Sequence, residues 1–281
     1  MQIWLWIFVW FGIFRYICSV ISEIYYMIDR QNLLHEQTQV LSADHDAMGA
    51  AIAEYHKLGR AGRLRVRSTM FDEDEIPVAH LFRTYDEMPM LEQKALELAA
   101  THGGQVLDVG AGAGCHSLVL HDRHMKVKAI DISPLSCQTM SERSLEDVQC
   151  INLFDKRLCG PFDTVLMLMN GTGIVGKLRN MPGFFARINE LLAADGQLLV
   201  DSSDLKYLYE NEDGTFDIDP MGPYYGEVDY QMIYRKVKGE PFDWLYVDYQ
   251  TLQMQAQASG FRCELVAEGE HFDYLARITK K

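Results

Sequence analysis

Hydrophobic positions along this chain repeat first at helical spacing and then in alternating strand-like and helix-like runs, and the changes fall at turn residues. Asp46 stands where a helix N-cap belongs; Met48, Ile52 and Tyr55 follow at helical spacing to about Lys57, and Gly59 stops the run. A second helix is signalled by Pro89 in its first turn, by Met90, Leu91, Ala95, Leu96 and Leu98, and by His102-Gly103-Gly104 at its end. Between the two, GRAGRLRVRS reads as a basic loop and Asp72-Glu73-Asp74-Glu75 as a solvated acidic one.

After Gly104 strands and helices alternate. Gln105 to Val109 reads as a fully buried strand, Gly110 to Gly114 as a glycine turn and Ser117 to Asp122 as a helix. Val127 to Ile130 is a second strand ended by Asp131, and Ser133-Pro134 opens a helix toward Leu145. Further strands are expected at Val148 to Leu153, Thr164 to Met169 and Gln197 to Val200, with a helix from Pro182 to Ala194-Asp195-Gly196 before the last. Such alternation means βαβ units, right-handed crossovers and a mainly parallel sheet. The end of the chain departs from it. Tyr224 to Asp248, rich in Tyr, Val and Trp, reads as an inserted hairpin, and Thr251 to Ser259 as a helix stopped by Gly260. Cys263 to Val266 and Tyr274 to Ile278, joined through Glu268-Gly269-Glu270, suggest an antiparallel pair.

Residues 3–22 hold one charge, Arg15, and no proline, and their length is that of a bilayer-spanning helix. No basic stretch precedes them and no small-residue cleavage site follows, which speaks against a cleaved secretory signal. Three readings of residues 1–28 stand: an anchor giving membrane association through residues 3–22, a stretch translated from a start codon assigned too early, or a helix docked on the core. Residues 29–45 read as a polar linker.

With 281 residues, 48% of them hydrophobic, the chain can bury a full core, which excludes disorder for most of its length. Its six cysteines include no CxxC pair, so free thiols in a reducing compartment are expected rather than a zinc ribbon. The net charge of −14 repels phosphate backbones, so no nucleic-acid partner is expected. Neither the 72–75 cluster nor the acidic residues between Glu210 and Asp219 have calcium-loop spacing, and no metal is expected.

The informative segment is VLDVGAGAG, residues 106–114. A strand ends, glycines turn the backbone, and a helix begins, so N–H groups there can approach a ligand closely. A dinucleotide-type GxGxxG would need glycine where Cys115 stands; the glycines instead follow GxGxG, with Asp108 two residues ahead. A carboxylate at Asp108 sits poorly beside a pyrophosphate and suits a ligand with a cationic amine. Asp131, at the end of the second strand, can accept both hydroxyl protons of a ribose, a feature shared with nicotinamide-binding folds. Phe154-Asp155 is expected where an adenine would meet an apolar wall and a polar acceptor. Asn170-Gly171-Thr172-Gly173 follows the fourth strand. All these turns converge at the carboxyl ends of the strands.

VLDVGAGAG, Asp131, Asp155 and the final antiparallel pair resemble the class I S-adenosylmethionine-dependent methyltransferases over roughly Met90 to Ile278. The resemblance implies an α/β, Rossmann-like, seven-stranded, mainly parallel sheet with an antiparallel last strand and helices on both faces. To that core, residues 102–281 with an insertion at 224–248, residues 46–101 add an N-terminal helical cap. It implies S-adenosyl-L-methionine as cofactor, with the methionine moiety over Gly110 to Gly112, the ribose on Asp131 and the adenine near Ile132, Phe154 and Asp155. Asp108, Val109, Ala111, Gly114, Asn170, Gly171 and Arg83 complete the expected cofactor set, Arg83 through its carboxylate-matching fork. Members that methylate DNA amino groups or glutamine side chains carry Asn or Asp-Pro-Pro-Tyr after the fourth strand; Met169-Asn170-Gly171-Thr172-Gly173 departs from that, so this substrate class loses support. The expected reaction is methyl transfer to a small molecule, with a protein acceptor the lesser reading, in the cytoplasm whether or not the N-terminus is tethered. Cofactor binding without turnover and nicotinamide-dependent oxidoreduction are the rivals.

No catalytic base is assigned. His116, Asp201 and Asn170 are candidates by location, and Tyr85, Tyr224, Tyr225 and Trp244 are candidate substrate contacts. Against each stands packing, capping or cross-strand contact. The 224–248 insertion is expected as a lid over the acceptor, with residues 46–101 as the opposite wall.

Overall fold

The computed structural model describes residues 39–281. In chain order these form α1 (Ala47–Leu58), β1 (Leu64–Arg67), β2 (Asp74–Ile76), α2 (Met90–His102), β3 (Gln105–Val109), α3 (Cys115–Asp122), β4 (Lys126–Asp131), α4 (Pro134–Glu142), β5 (Val148–Cys150), β6 (Phe162–Met167), α5 (Met181–Leu191), β7 (Leu192–Ser203), β8 (Glu227–Tyr234), β9 (Val237–Lys238), β10 (Phe242–Leu245), α6 (Tyr249–Ala258), β11 (Phe261–Glu268) and β12 (Asp273–Lys280). The apolar segment at 3–22, and the polar linker as far as residue 38, lie outside them. Among the described residues no helix is long and apolar enough to cross a membrane.

The larger sheet has seven strands in the order β11-β12-β7-β6-β3-β4-β5. β7, β6, β3, β4 and β5 are parallel, while β12 runs against β7 and β11 against β12. Strict alternation makes it bury both faces. Leu107, Val165, Met167, Leu198, Val200 and Ala276 pack with Phe184, Phe185 and Ile188 of α5 and Leu252 of α6. Val106, Leu166, Leu199 and Leu275 pack the other way, against Leu96 and Ala99 of α2 and Leu120 of α3. Each strand contributes to two cores because its side chains alternate, which is why both sets of helices are needed.

A second sheet, in the order β10-β8-β1-β2 with β9 on β8, was not foreseen from the sequence. The basic loop at 59–68 contains β1, and the acidic cluster runs into β2. Arg65 stands opposite Glu75, and Arg67 bonds Glu73 at 2.5 Å, so the two charged runs face each other across a ladder. The 224–248 insertion supplies β8, β9 and β10, three strands rather than a hairpin, and β8 pairs with β1 over Leu64–Arg67. The insertion and the N-terminal segment are therefore one sheet, not opposite walls. Leu64 and Tyr234 on its inner face pack on Ala47 and Ala51 of α1.

Two smaller corrections bear on strand ends. α5 stops at Leu191 and β7 begins at once; Ala194-Asp195-Gly196 is an irregularity inside β7, where the register with β6 shifts between Phe162 and Thr164. β5 ends at Cys150, three residues earlier than the apolar run suggests, since Leu153 turns into the core.

Candidate active site

The carboxyl ends of β3, β4, β6 and β7 meet at one rim, and α1 and the second sheet lie over it. Asp46 fixes this arrangement: its carboxylate accepts from Gly49 N at 2.9 Å, capping α1, and from Ser133 Oγ at 2.6 Å at the start of α4. Ile52 of α1 and Leu81 then cluster with Ala113 of the glycine turn.

In that turn Gly110, Gly112 and Gly114 all have positive φ, which side chains with a Cβ resist. A Cβ on Gly114 would lie 2.9 Å from Leu145 and 3.0 Å from Met140, so this glycine is needed for packing; Gly112 has nothing within 4 Å on that side and opens on free space. Asp131 accepts from Gly112 N and from Ser133 N, each at 2.8 Å. Burial pushes its carboxyl up to about 6, with Asp46 and Asp108 adding to the rise and the two N–H donors opposing it. Beside it, Ile132 is 36% exposed, a bare apolar side chain at the rim. Asp108 is buried under the turn, bonded to Ser117 Oγ at 2.6 Å. It faces inward rather than toward the space over Gly112, and burial raises its pKa.

The second half of the rim is the turn after β6. Met169 and Asn170 both adopt left-handed conformations, at φ 68 and 58, costing roughly 1–3 kcal/mol each. Asp201 holds them there, accepting from Met169 N at 3.1 Å and Gly171 N at 3.0 Å. Burial raises Asp201 to about 6, while the N–H donors of the turn pull it back. Ser203 Oγ donates to Asn170 Oδ1 at 2.7 Å. The insertion reaches this turn: Thr172 Oγ1 lies 2.9 Å from Leu245 O, and Trp244 covers Gly173 so closely that a Cβ there would sit 1.8 Å from the indole.

Several expected contacts are elsewhere. Arg83 is buried and paired with Glu92, which also bonds His116 Nε2 at 2.8 Å, so its fork is not open to a cofactor carboxylate. Burial alone would lower the His116 pKa, but Cys115, Glu92 and Asp108 outweigh it and raise it to about 10. Its Nε2 is engaged by Glu92 within this buried cluster rather than offered to an acceptor. Phe154 is core, and Asp155 binds Arg157 at 2.6 Å, which holds its carboxyl near 2. Past β5, Ile151 N donates to Asp131 O at 3.0 Å, and the next residue, Asn152, accepts from Phe154 N at 3.0 Å through its side chain. Tyr85 bonds Glu97 at 2.7 Å under Arg123, at the end of α3 remote from the glycine turn. Tyr224 and Tyr225 donate to Asp248 and Asp204, at 2.6 and 2.8 Å, and brace the insertion. Val109, Ala111 and Gly171 lie on the rim as expected. A surface depression lined by Gly104, His124 and Asp163 lies at the opposite, N-terminal ends of β3 and β4 and takes no part.

This geometry agrees with known proteins. The chain is 53% identical to the S-adenosylmethionine-dependent methyltransferase of Bacteroides fragilis, solved in complex with S-adenosyl-L-homocysteine, with a TM-score of 0.82 over 87% of this chain and 99% of that one. A curated relative, an uncharacterized methyltransferase of Staphylococcus carnosus (strain TM300), is 27% identical over 184 residues, 66% of this chain and 82% of its own. The CcbJ methyltransferase of Streptomyces caelestis shares the fold at 13% identity, with a TM-score of 0.57 over 84% of this chain and 98% of that one. No family model matches. The chain belongs to the S-adenosylmethionine-dependent methyltransferases. It is an enzyme that uses S-adenosyl-L-methionine, and the nicotinamide and binding-only readings fall away. The residues present fit that cofactor. Asp131 is a half-buried carboxylate, in no salt bridge among the described residues, suited to hydroxyl donors, and an open glycine and an exposed Ile132 flank it.

Proposed function

We propose that the enzyme methylates a small molecule, with the cofactor lying across the ends of β3 and β4 and the acceptor between the Asn170 turn and the second sheet. In this reading Asp131 takes the ribose hydroxyls, Ile132 and Asn152 border the adenine, and the backbone at Gly110 to Gly112 lies along the methionine moiety. When bound, the cofactor supplies an activated methyl group on a sulfonium. The chain's task is alignment. Holding acceptor, methyl and sulfur in line supplies on the order of 7–11 kcal/mol of the barrier. Asn170 and Ser203 stand where the acceptor would be oriented, and the Asp201 clamp keeps their turn in one conformation.

The observation that supports a small acceptor is the roof itself. β1, β8 and β10 form a continuous ladder above the rim, anchored at one end on α1 and at the other on Gly173. A covered rim suits a molecule that fits beneath it better than a protein surface or a duplex. The test is to incubate the purified protein with methyl-labelled S-adenosylmethionine and cell extract separated by ultrafiltration. Label should appear in low-mass products resolved chromatographically from the cofactor; label transferred only to the retained protein fraction overturns the proposal.

A further inference from the structure

The register of the second sheet sorts its side chains onto two unlike faces. Leu64 pairs with Tyr234, Val66 with Met232 and with Asp74, Phe242 with Tyr230, and Trp244 with Val228. These residues share one face, because paired residues project to the same side and alternate residues to opposite sides. It is the face that looks at the rim, since Trp244 lies on Gly173 and Tyr234 on α1. The other face carries Arg65, Arg67, Asp229 and Asp243 together with the buried Ile233 and Leu245, and Glu227 there accepts from Leu178 N. Its cations are paired there, Arg65 and Arg67 with Glu73, and Asp243 with Lys177 from outside the sheet.

The inner face beyond α1 is an aromatic wall. Tyr230 and Phe242 have ring centroids 6.2 Å apart, Phe242 and Trp244 are edge-to-face at 6.0 Å, and the hydroxyls of Tyr230 and Tyr246 meet at 3.0 Å. All four rings are half-buried, with Trp244 laid against Gly173. No lysine, arginine or histidine stands on the inner face of β1, β2, β8 or β10; its one charged residue is Asp74. Below it, the rim presents Asp131, Asp201 and Asp204. On this face of the sheet an acceptor bearing a carboxylate or phosphate would meet no counter-charge. A cation is held there by the ring faces.

We propose that the acceptor is a small-molecule amine, recognised in its ammonium form by the aromatic inner face of the second sheet. This rests on the methyltransferase reading and on the small acceptor beneath the roof. The ammonium releases a proton to water. The lone pair of the free amine then forms the new N–C bond while the S–C bond breaks and its electron pair returns to sulfur. The methylated nitrogen carries the positive charge that sulfur held and loses a further proton to water. A free alkylamine keeps its lone pair localised and needs no hydrogen bond to draw it out, consistent with a turn, Met169 to Gly173, that offers a small amide and backbone groups.

The full chain, first shown by calorimetry to bind S-adenosylhomocysteine, is given methyl-labelled S-adenosylmethionine and three matched panels of small aryl- and cycloalkyl-substituted amines, carboxylic acids and phenols. Transfer to amines should exceed transfer to either other panel at least tenfold. Val66→Lys, which sets an ammonium on the inner face, should lower amine transfer at least tenfold with S-adenosylhomocysteine binding within twofold. Phe242→Leu, a milder change, should lower it several-fold with the same binding. Equal or greater transfer to acids or phenols, transfer to none of the panels, or both variants behaving as the parent overturns the amine proposal and leaves the methyltransferase reading standing. Failure to bind S-adenosylhomocysteine overturns that reading instead.

Discussion

The two halves of the rim are built differently. At the β3–β4 half, everything comes from one stretch of chain. Gly110 to Gly114, Asp131 and Ser133 lie within about one βαβ unit, and the contacts that shape the site are backbone N–H bonds to one carboxylate. At the β6–β7 half, the Asn170 turn is held by Asp201, covered by Trp244 and roofed by a sheet whose strands come from residues 64–76 and 227–245. The first half is a local construction that one cofactor fits. The second is a tertiary assembly whose parts vary independently, and such positions are where acceptor choice can differ between enzymes sharing one cofactor.

If this division holds, damage to one half should leave the other intact. Asp131→Ala should weaken S-adenosylhomocysteine binding by about a hundredfold or more, from the loss of charge-assisted bonds worth roughly 1.5–3 kcal/mol each. Calorimetry measures this directly; a change in kcat with binding untouched would break the comparison. The same residue should betray itself in the ligand-free protein. Asp131 and Asp201 have folded pKa values raised to about 6 from 3.8. Their contribution to stability is full below about pH 4 and is lost as pH rises through 6, up to about 3 kcal/mol for each. Thermal denaturation without ligand should therefore show a higher Tm at pH 5 than at pH 7, with Asp131→Asn flattening the slope. A Tm that rises over this interval would refute the assignment of these two groups as unpaired carboxylates.

Asp201→Ala tests the other half. Freed from its clamp, the Met169–Asn170 turn should relax out of its left-handed conformation and lower kcat roughly ten- to a hundredfold. The KM for S-adenosylmethionine should change less than threefold, and Asp201→Asn should recover part of the loss. A smaller effect is expected from Gly173→Ala, whose methyl collides with Trp244. Displacing that ring should cost about 1–3 kcal/mol of stability by denaturant titration and reduce turnover, with S-adenosylhomocysteine affinity unaltered. The least change is expected from Tyr85→Phe. It removes one exposed bond to Glu97, should shift stability by no more than about 0.5 kcal/mol, and should leave both halves working.

Much of the first half was legible in the amino-acid order, and the reason is range. A left-handed backbone at Gly112 or Gly114 demands glycine at that residue, Gly59 marks the end of α1, and Asp131 follows the last buried residue of β4. Where the reading went astray, the deciding partner was a side chain whose placement the folded chain fixes. Arg83 is an unattached cation on paper, and only folding brings Glu92 and His116 against it. Asp155 sits close to the expected adenine position in sequence, yet its neighbour Arg157 takes its carboxylate.

By itself the order of residues determined the parallel sheet, the glycine turn and the acid after the second core strand, because period, turn chemistry and caps act over a few residues. Only the tertiary structure decided the roof. Leu-Arg-Val-Arg at 64–67 alternates well enough to be a strand, but four residues with two charges hold no strand alone. It exists because Leu64 to Arg67 find Tyr234 to Gln231, some 165 residues further along, and because α1, pinned by Asp46 to the start of α4, lies beneath them. A pairing of that range is set by the collapse of the whole chain, and no local pattern encodes it.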